Sequence, residues 1–210
     1  MTPFRFSLTL SRVNRDPQGH PLERITRRFY RSFVVLERRL SPPLPKITPT
    51  RAVELGSLDP SEIAEYLEFH PGRQRRFIEH RFAAGDVGFT ARYRGELVAS
   101  GWGCRSQHWV NDLRRTWRVE PGEVYFYDSY TAPEHRGHDL NPAMFVHALG
   151  HFRALGLDRA TVLTVSGNAA NLRAKEKLGF ERRAVIRSFS LGWGKSILRR
   201  RSLPAPETAS

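Results

Sequence analysis

The groups best suited to binding an anion lie in one turn, residues 132–140, between an apolar run and a helical pattern. The apolar run predicts a strand over residues 124–131. Asn141 is a favourable N-cap, so we predict a helix that begins after it and ends near Gly156. A turn from a strand into a helix directs backbone N–H groups and the positive end of the helix dipole at one spot, which binds phosphate. Arg136 can add a bidentate contact.

Acid–base groups lie on the same predicted strand. Asp128 and Tyr130 are two residues apart, so they share one face of the strand, while Ser129 and Thr131 share the other. A second strand is predicted over residues 160–165, where β-branched residues are frequent. The sequence does not decide which strand face meets a substrate.

Two segments resemble the GNAT acyltransferases. The family turn reads Arg/Gln-x-x-Gly-x-Gly/Ala, and here it is Arg-Gly-His-Asp-Leu-Asn from Arg136. The family's later segment reads Asn-x-x-Ala/Ser-x-x-x-Tyr before Gly-Phe, and here it runs from Asn168 through Lys175 to residues 179–180. Three positions depart from the pattern: Asp139 and Asn141 stand where the family has glycine, and Lys175 replaces the tyrosine.

The resemblance implies an α/β fold of the mixed kind, a mostly antiparallel sheet flanked by helices. A V-shaped opening between strands 124–131 and 160–165 would receive CoA. The implied activity is acyl-CoA-dependent N-acyl transfer, with acetyl-CoA or another acyl-CoA as donor and an unidentified amine as acceptor. The amine would attack the thioester directly in a ternary complex.

The resemblance also implies roles for individual residues. Asp128 is the predicted base for the amine, with Glu134 and His135 as alternatives. Tyr130, Lys175 or a water molecule would protonate the departing thiolate, and a backbone N–H near Tyr130 or Thr131 would polarise the thioester carbonyl. Asn168 is either a helix cap or a contact to the pantetheine arm. The residues predicted to bind the donor are Tyr130, Thr131, Arg136, Gly137, His138, Asp139, Leu140, Asn141 and Asn168.

No metal site is predicted from the sequence. His147 and His151 lie four residues apart on a predicted helix, but no glutamate stands beside them as in a His-Glu-x-x-His site. Cys104 is the single cysteine, which excludes an internal disulfide framework and is typical of a reducing compartment. It is read as a small buried residue rather than a nucleophile.

Composition favours a cytoplasmic protein that attracts polyanions. The formal net charge is +13, and such a field attracts CoA, acyl-carrier protein, anionic lipid or nucleic acid. Arginine-rich surfaces without a binding role are the alternative. No apolar run is long enough for a transmembrane helix, and the first ten residues are too polar for a secretory signal.

Residues 1–45 are predicted to form a basic extension that packs on the core, with residues 46–202 as the acyltransferase domain and 203–210 as a disordered tail. The extension holds nine arginines against three acidic residues. Residues 4–10 and 32–36 are predicted strands, and residues 22–31 a short basic helix. This region is a candidate contact for an acyl-carrier protein or an anionic surface, and a homodimer is left open.

The remaining pattern supplies the other elements of the sheet and its helices. In the resemblance, two helices, one beginning near Ile63 and one over residues 73–84, border the acceptor site. Their candidate contacts are Glu65, Tyr66, Glu68, His70 and Glu79. The other predicted elements are a strand over residues 47–55, a hairpin over 88–104, a loop or hairpin over 107–121, and closing strands over 182–191 and from Ser196.

Two other classes of function stay open. A non-catalytic acyl-CoA or acyl-carrier-binding protein is suggested by Lys175 and the missing glycines. A nucleic-acid-associated protein is suggested by the charge, and its binding would weaken steeply with salt.

Overall fold

Eight strands form one sheet in the order β10-β9-β1-β8-β7-β4-β3-β2, and a separate hairpin pairs β5 with β6. The computed structural model describes residues 30–190 and 196–203. The strands are β1 Tyr30–Arg39, β2 Glu54–Ser57, β3 Val87–Tyr93, β4 Glu96–Cys104, β5 Gln107–Val110, β6 Arg115–Arg118, β7 Glu123–Thr131, β8 Arg159–Val165, β9 Glu181–Ser190 and β10 Ser196–Ser202. The helices are α1 Ile63–Phe69, α2 Arg75–Ala83, α3 Leu140–Ala154 and α4 Ala169–Lys177.

The predicted mixed sheet flanked by helices is confirmed. Each neighbouring pair in the large sheet is antiparallel except β7 and β8, which run parallel. Helices α3 and α4 cover one face through a core that includes Phe126, Phe145 and Phe152. Helices α1 and α2 cover the other face around Tyr66 and Trp102. None of the helices among the described residues is long and apolar enough to cross a bilayer.

Strands β7 and β8 pair over only part of their length. Their ladder runs from Glu123 opposite Arg159 to Phe126 opposite Val162 and then stops. Beyond that point β8 stays paired with β1, and the last residues of β7 stay paired with β4. The two strands therefore part after Phe126. We call the space between residues 127–131 and residues 163–165 the V-shaped opening.

A β-bulge bends β7 at the opening. Ser100 pairs with Tyr130 and Trp102 pairs with Tyr127, so two residues of β7 lie opposite Gly101 alone. Asp128, the first of the two, has a left-handed backbone with φ 51°. A bulge adds twist and redirects side chains, which places Tyr127 and Asp128 on the same face of the sheet.

Three predicted boundaries differ from the structure. The run over residues 47–55 forms a strand only from Glu54, because Pro49 lacks the N–H that a paired strand donates. Tyr30 and Arg31 begin β1 instead of ending a helix; residues 22–29 of that predicted helix lie outside the described part of the chain. Helix α3 is capped by Asp139, not Asn141, because Asp139 takes the left-handed turn with φ 54° and the helix starts at Leu140.

Strand β1 lies inside the sheet, between β9 and β8. The predicted boundary at residue 45 would assign this strand to an extension, but its residues Val34 and Leu36 belong to the main core. The predicted strand over residues 4–10 and the tail from residue 204 onward lie outside the described residues. The segment 107–121 was predicted to be either a loop or a hairpin, and it forms the β5–β6 hairpin. This hairpin packs against β1 and β9.

Close packing of β4 against α3 gives a test of this core. A Cβ on Gly103 would lie 2.7 and 2.8 Å from two ring atoms of Phe152. We expect Gly103→Ala to lower the free energy of unfolding by about 1–3 kcal/mol, as overpacking does. Gly150→Ala, within α3, is the matched control. Its Cβ would meet only a side-chain atom of Leu44, at an ordinary contact distance of 3.7 Å. The control is expected to stabilise by about 0.5–1 kcal/mol in urea denaturation, and equal losses in both variants would contradict the packing.

Candidate active site

The turn between β7 and α3 presents a row of free backbone amides. Gly137 and Asp139 both have positive φ, 82° and 54°, which turns the chain sharply before the helix. The first bond inside α3 runs from the Ala143 N–H to the Asp139 carbonyl. Within the described residues the N–H groups of residues 137–141 meet no acceptor, so they remain available to an anion at the positive end of α3. We call residues 137–141 the amide cradle.

The segment before β2 holds the cradle in place. The Thr50 N–H donates to the His138 carbonyl at 3.2 Å, and the hydroxyl of Thr50 lies 2.7 Å from His138 Nδ1. Arg51 approaches Nδ1 of His135 at 2.8 Å. The amide of Asn141 donates to the Ser129 hydroxyl, which joins α3 to the bulge of β7. The cradle is therefore fixed on both sides.

The edge of β7 that faces the V-shaped opening carries the backbone groups of Thr131. The Ala132 N–H donates to Val98 on β4, and successive backbone groups of an extended strand point to alternate sides. Thr131 therefore directs its N–H and carbonyl away from β4. Arg136 Nε donates to that carbonyl at 3.2 Å, while the Thr131 N–H remains directed into the opening.

Asp128 is buried in a cluster of positive groups. Its side chain is 12 % exposed and forms ion pairs with Arg73 and with Arg81, the latter at 2.7 Å. Burial alone would raise the pKa of Asp128, but Arg81 and Arg73 lower it by more, so this pKa lies below the usual range. A carboxylate with a lowered pKa is a poor proton acceptor, which argues against Asp128 as the sole base.

His70 lies between Asp128 and Tyr130. Its ring stacks on the Tyr130 ring with centroids 4.3 Å apart, and its Nε2 lies 3.8 Å from an Asp128 oxygen. Neither ring nitrogen finds a hydrogen-bond partner among the described residues. Burial lowers the pKa of His70 and outweighs the opposing effect of Asp128, so the imidazole is neutral near pH 7. Asp128 and Tyr130 thus share a strand face, as the alternation predicts.

Lys175 lies on the opposite face of the sheet from Asp128. Its side chain is 1 % exposed and its Nζ lies 2.9 Å from the centroid of the Phe145 ring. Burial lowers the pKa of Lys175 well below that of an ordinary lysine, because the charged form loses its hydration. A lysine with a lowered pKa can protonate a thiolate only while it still carries its proton, so the acid role of Lys175 remains a prediction.

The other predicted residues have simpler roles in the structure. Asn168 caps α4, since its side chain accepts from the Asn171 N–H at 3.0 Å. Among the predicted acceptor contacts, Glu65 pairs with Arg92, and buried Tyr66 accepts from Trp102. Burial raises the pKa of Cys104 to about 12, which keeps this thiol protonated. No group of three metal-ligating side chains occurs within the part of the chain that the structure describes.

Comparison with known proteins agrees with this geometry. A model of the acetyltransferase (GNAT) family matches residues 56–180, more than half of the chain. The chain belongs to the GNAT family. The match runs from within β2 to just past α4 and includes the amide cradle, the bulge and helices α1 and α2. No protein in a search of curated sequences matched this GNAT chain significantly.

Solved GNAT structures share the fold at low sequence identity. A GNAT acetyltransferase from Novosphingobium aromaticivorans is 17% identical, with a TM-score of 0.55 over 75% of this chain and 62% of that one. A GCN5-related N-acetyltransferase from Sphaerobacter thermophilus is 12% identical, with a TM-score of 0.57 over 86% of this chain. This chain covers 55% of that protein, and so spans less than two thirds of either structure.

A shorter neighbour is matched over its whole length. The ribosomal-protein-S18-alanine N-acetyltransferase from Escherichia coli is 15% identical, with a TM-score of 0.53 over 76% of this chain and 100% of that chain. At these identities, the structural comparison shows that the chain shares the fold of these proteins. It does not identify an acceptor for this chain.

Sequence reasoning missed the arginines that neutralise Asp128. Arg81 follows buried Ile78 by three residues, so the two share a helix face. An arginine on a buried helix face requires an acidic partner, and that requirement was the available signal. Arg73 lies in the loop before α2 and gave no such signal.

The ion pairs of Asp128 make it a stability determinant. We expect Asp128→Asn to lower the free energy of unfolding by about 3–5 kcal/mol, because Arg81 is left buried without its partner. The difference in free energy of unfolding between Asp128→Asn and wild type should shrink as the pH falls below about 4. The ion pairs of Asp128 stabilise the fold fully only above the pKa of the carboxyl in the unfolded chain, and they are lost as the carboxyl takes up a proton. Urea denaturation across this pH range measures both effects.

The matched control for Asp128→Asn is Glu79→Gln. It breaks the exposed Arg75–Glu79 pair, whose side chains are more than half exposed. Its effect is expected to stay within about 0.5 kcal/mol. An equal loss of stability in Glu79→Gln and Asp128→Asn would show that the buried ion pairs of Asp128 stabilise the protein no more than an exposed pair does.

Replacing Lys175 by an apolar side chain is expected to stabilise the protein. We expect Lys175→Met to raise the free energy of unfolding by about 1–4 kcal/mol at neutral pH, since the wild-type amine must lose its proton or its hydration to fold. The gain should shrink as the pH rises toward about 10, where the unfolded lysine is also losing its proton. Lys177→Met, at an exposed site on the same helix, should change stability little. A loss of stability in Lys175→Met at neutral pH would contradict a net cost of burying this amine.

Proposed function

We propose that this protein is an acyl-CoA-dependent N-acyltransferase, transferring an acyl group, in the simplest case acetyl, from CoA to an amine. The observation that carries the proposal is the combination of a free amide cradle at the start of α3 with the V-shaped opening beside it. A diphosphate fits the cradle, and an extended pantetheine arm fits the unpaired edge of β7.

Different residues around the V-shaped opening have different roles in binding and reaction. The amides of residues 137–141 and the Arg136 guanidinium hold the diphosphate of the donor. The Thr131 N–H donates to the thioester carbonyl, where negative charge develops during attack. Asp139 forms the turn with its backbone, and the residue is exposed. Its carboxylate is therefore free to point away from the bound diphosphate.

The amine acceptor approaches from the side of α1 and α2. His70 is the group there that can accept a proton, since it is neutral and its ring nitrogens are unpaired within the described residues. Asp128 faces His70 and stabilises the imidazolium that forms, so its predicted role as base becomes a supporting one. Tyr130 remains the proposed proton donor to the thiolate, with water as the alternative.

Several predicted partners stay predictions. The acyl-carrier or anionic partner was assigned to the arginine-rich residues before position 45, most of which lie outside the described residues. A homodimer and a cytoplasmic location also remain predictions. The acceptor stays an unidentified amine.

The cradle is tested by removing its arginine. We expect Arg136→Ala to weaken CoA binding by about 1–3 kcal/mol in calorimetry, the usual effect of losing a charged hydrogen bond. Arg153→Ala removes the same charge at the far end of α3 and serves as control. Unchanged affinity in Arg136→Ala, or equal losses in both variants, would contradict the placement of the donor.

Catalysis is tested by measuring free thiol released from acetyl-CoA with a panel of amines. Release that depends on an added amine supports the transferase. CoA binding without release for any amine would favour the non-catalytic acyl-CoA-binding alternative. An absence of CoA binding would remove both functions.

A further inference from the structure

A buried lysine is an unusual feature of this fold. Lys175 is almost fully enclosed, and its Nζ lies over the ring of Phe145, 2.9 Å from the ring centroid. Burying an amine is costly, because the charged form loses its hydration. That cost calls for a chemical explanation.

The amine lies near the closed end of the V-shaped opening. Its nearest aromatic neighbour, Phe145, contacts Phe126 with ring centroids 5.0 Å apart. Phe126 is the last residue of β7 that pairs with β8, so it marks the point where the two strands part. Helix α4 carries Lys175, and three residues separate its start from the end of β8. The reactive end of a donor that fills the opening would therefore come toward Lys175.

Lysine is rare in this chain compared with arginine. The chain has 34 lysines and arginines, of which four are lysines: Lys46, Lys175, Lys177 and Lys195. Arginine stays protonated in any protein environment and is not a nucleophile, whereas a buried lysine loses its proton readily and then carries a reactive lone pair. The single fully buried basic side chain of the described residues is thus the one type that can attack a thioester.

We propose that Lys175 is a self-acylation site of this enzyme. The proposal rests on the proposed function, since the acyl donor must first bind in the V-shaped opening. Lys175 Nζ attacks the carbonyl carbon of the bound thioester, a C–N bond forms and the C–S bond breaks. The sulfur leaves as the CoA thiolate and takes up the proton that Nζ loses. The products are an amide on Lys175 and free CoA thiol, and no further reactant is required.

Acylation removes the charge from Lys175. An amide carries no charge at any pH, so the cost of burying a titratable amine disappears. The acyl group adds volume at the closed end of the opening, where a donor thioester would otherwise lie. Acylated Lys175 therefore limits further donor binding, and the enzyme controls its own activity by the acyl-CoA supply.

Mass spectrometry of peptides tests the modification directly. The full-length protein is incubated with acetyl-CoA near neutral pH, and acetyl groups are mapped at Lys46, Lys175 and Lys177. We expect Lys175 to be acetylated at least about tenfold faster than exposed Lys177, since a bound donor raises the local concentration of thioester. Arg136→Ala should slow acetylation of Lys175 and leave that of Lys177 unchanged, because only the first depends on the cradle.

A binding measurement completes the test. Protein acetylated at Lys175 is expected to bind CoA at least about tenfold more weakly than unmodified protein, as steric exclusion from a filled pocket requires. Lys175→Gln removes the amine without adding an acyl group, so it should not reproduce the loss, and neither should Lys177→Gln.

The outcomes separate this inference from the proposed function. If CoA binds and amines are acylated while Lys175 remains unmodified or reacts no faster than Lys177, self-acylation is overturned and the transferase stands. If CoA does not bind, the proposed function fails first, and the inference fails with it. If Lys175 is acetylated equally fast in Arg136→Ala and wild type, the reaction does not use the bound donor, and the proposed site is wrong.

Discussion

The parallel pairing of β7 with β8 ends at Phe126, and the arrangement of the site follows from that break. A parallel pair continued along both strands would occupy the N–H of Thr131 and leave no space between the strands. The break occurs where the bulge at Asp128 turns β7 away, while β1 holds β8 along its full length. One strand is bent and its neighbour is held straight, so a wedge-shaped space opens with the amide cradle at its mouth.

The bulge in turn depends on buried charge. Asp128 adopts a left-handed backbone that costs free energy in any non-glycine residue. Its carboxylate is fixed by Arg81, which itself packs between the rings of Trp102 and Tyr127 at 5.0 Å from each centroid. The aromatic core of α1 and α2 therefore positions Arg81, Arg81 positions Asp128, and Asp128 keeps the strand bent. Asp128 is thus held by ion pairs that support the fold, and these contacts do not fit the role of a simple base.

Much of the fold was predictable because its signals are local. The β-branched run of β8, the Asp-Pro start before α1 and the Gly-Phe after α4 each specify an element through neighbouring residues. The turn from β7 into α3 was predictable for the same reason, since its residues are neighbours in sequence. The place of β1 between β9 and β8 was not predictable, because strand order depends on contacts between residues far apart in sequence. The partners of Asp128 were missed for that reason too: Arg73 and Arg81 are more than forty residues away.

The hydrogen bonds between Thr50 and His138 also connect the amide cradle with the segment before β2. That segment runs directly into β2 and then toward α1. A movement of the cradle is therefore passed to the chain that leads to α1, without any change inside the sheet. If the cradle binds the donor as proposed, this linkage favours an ordered kinetic sequence, in which the amine binds after CoA has docked.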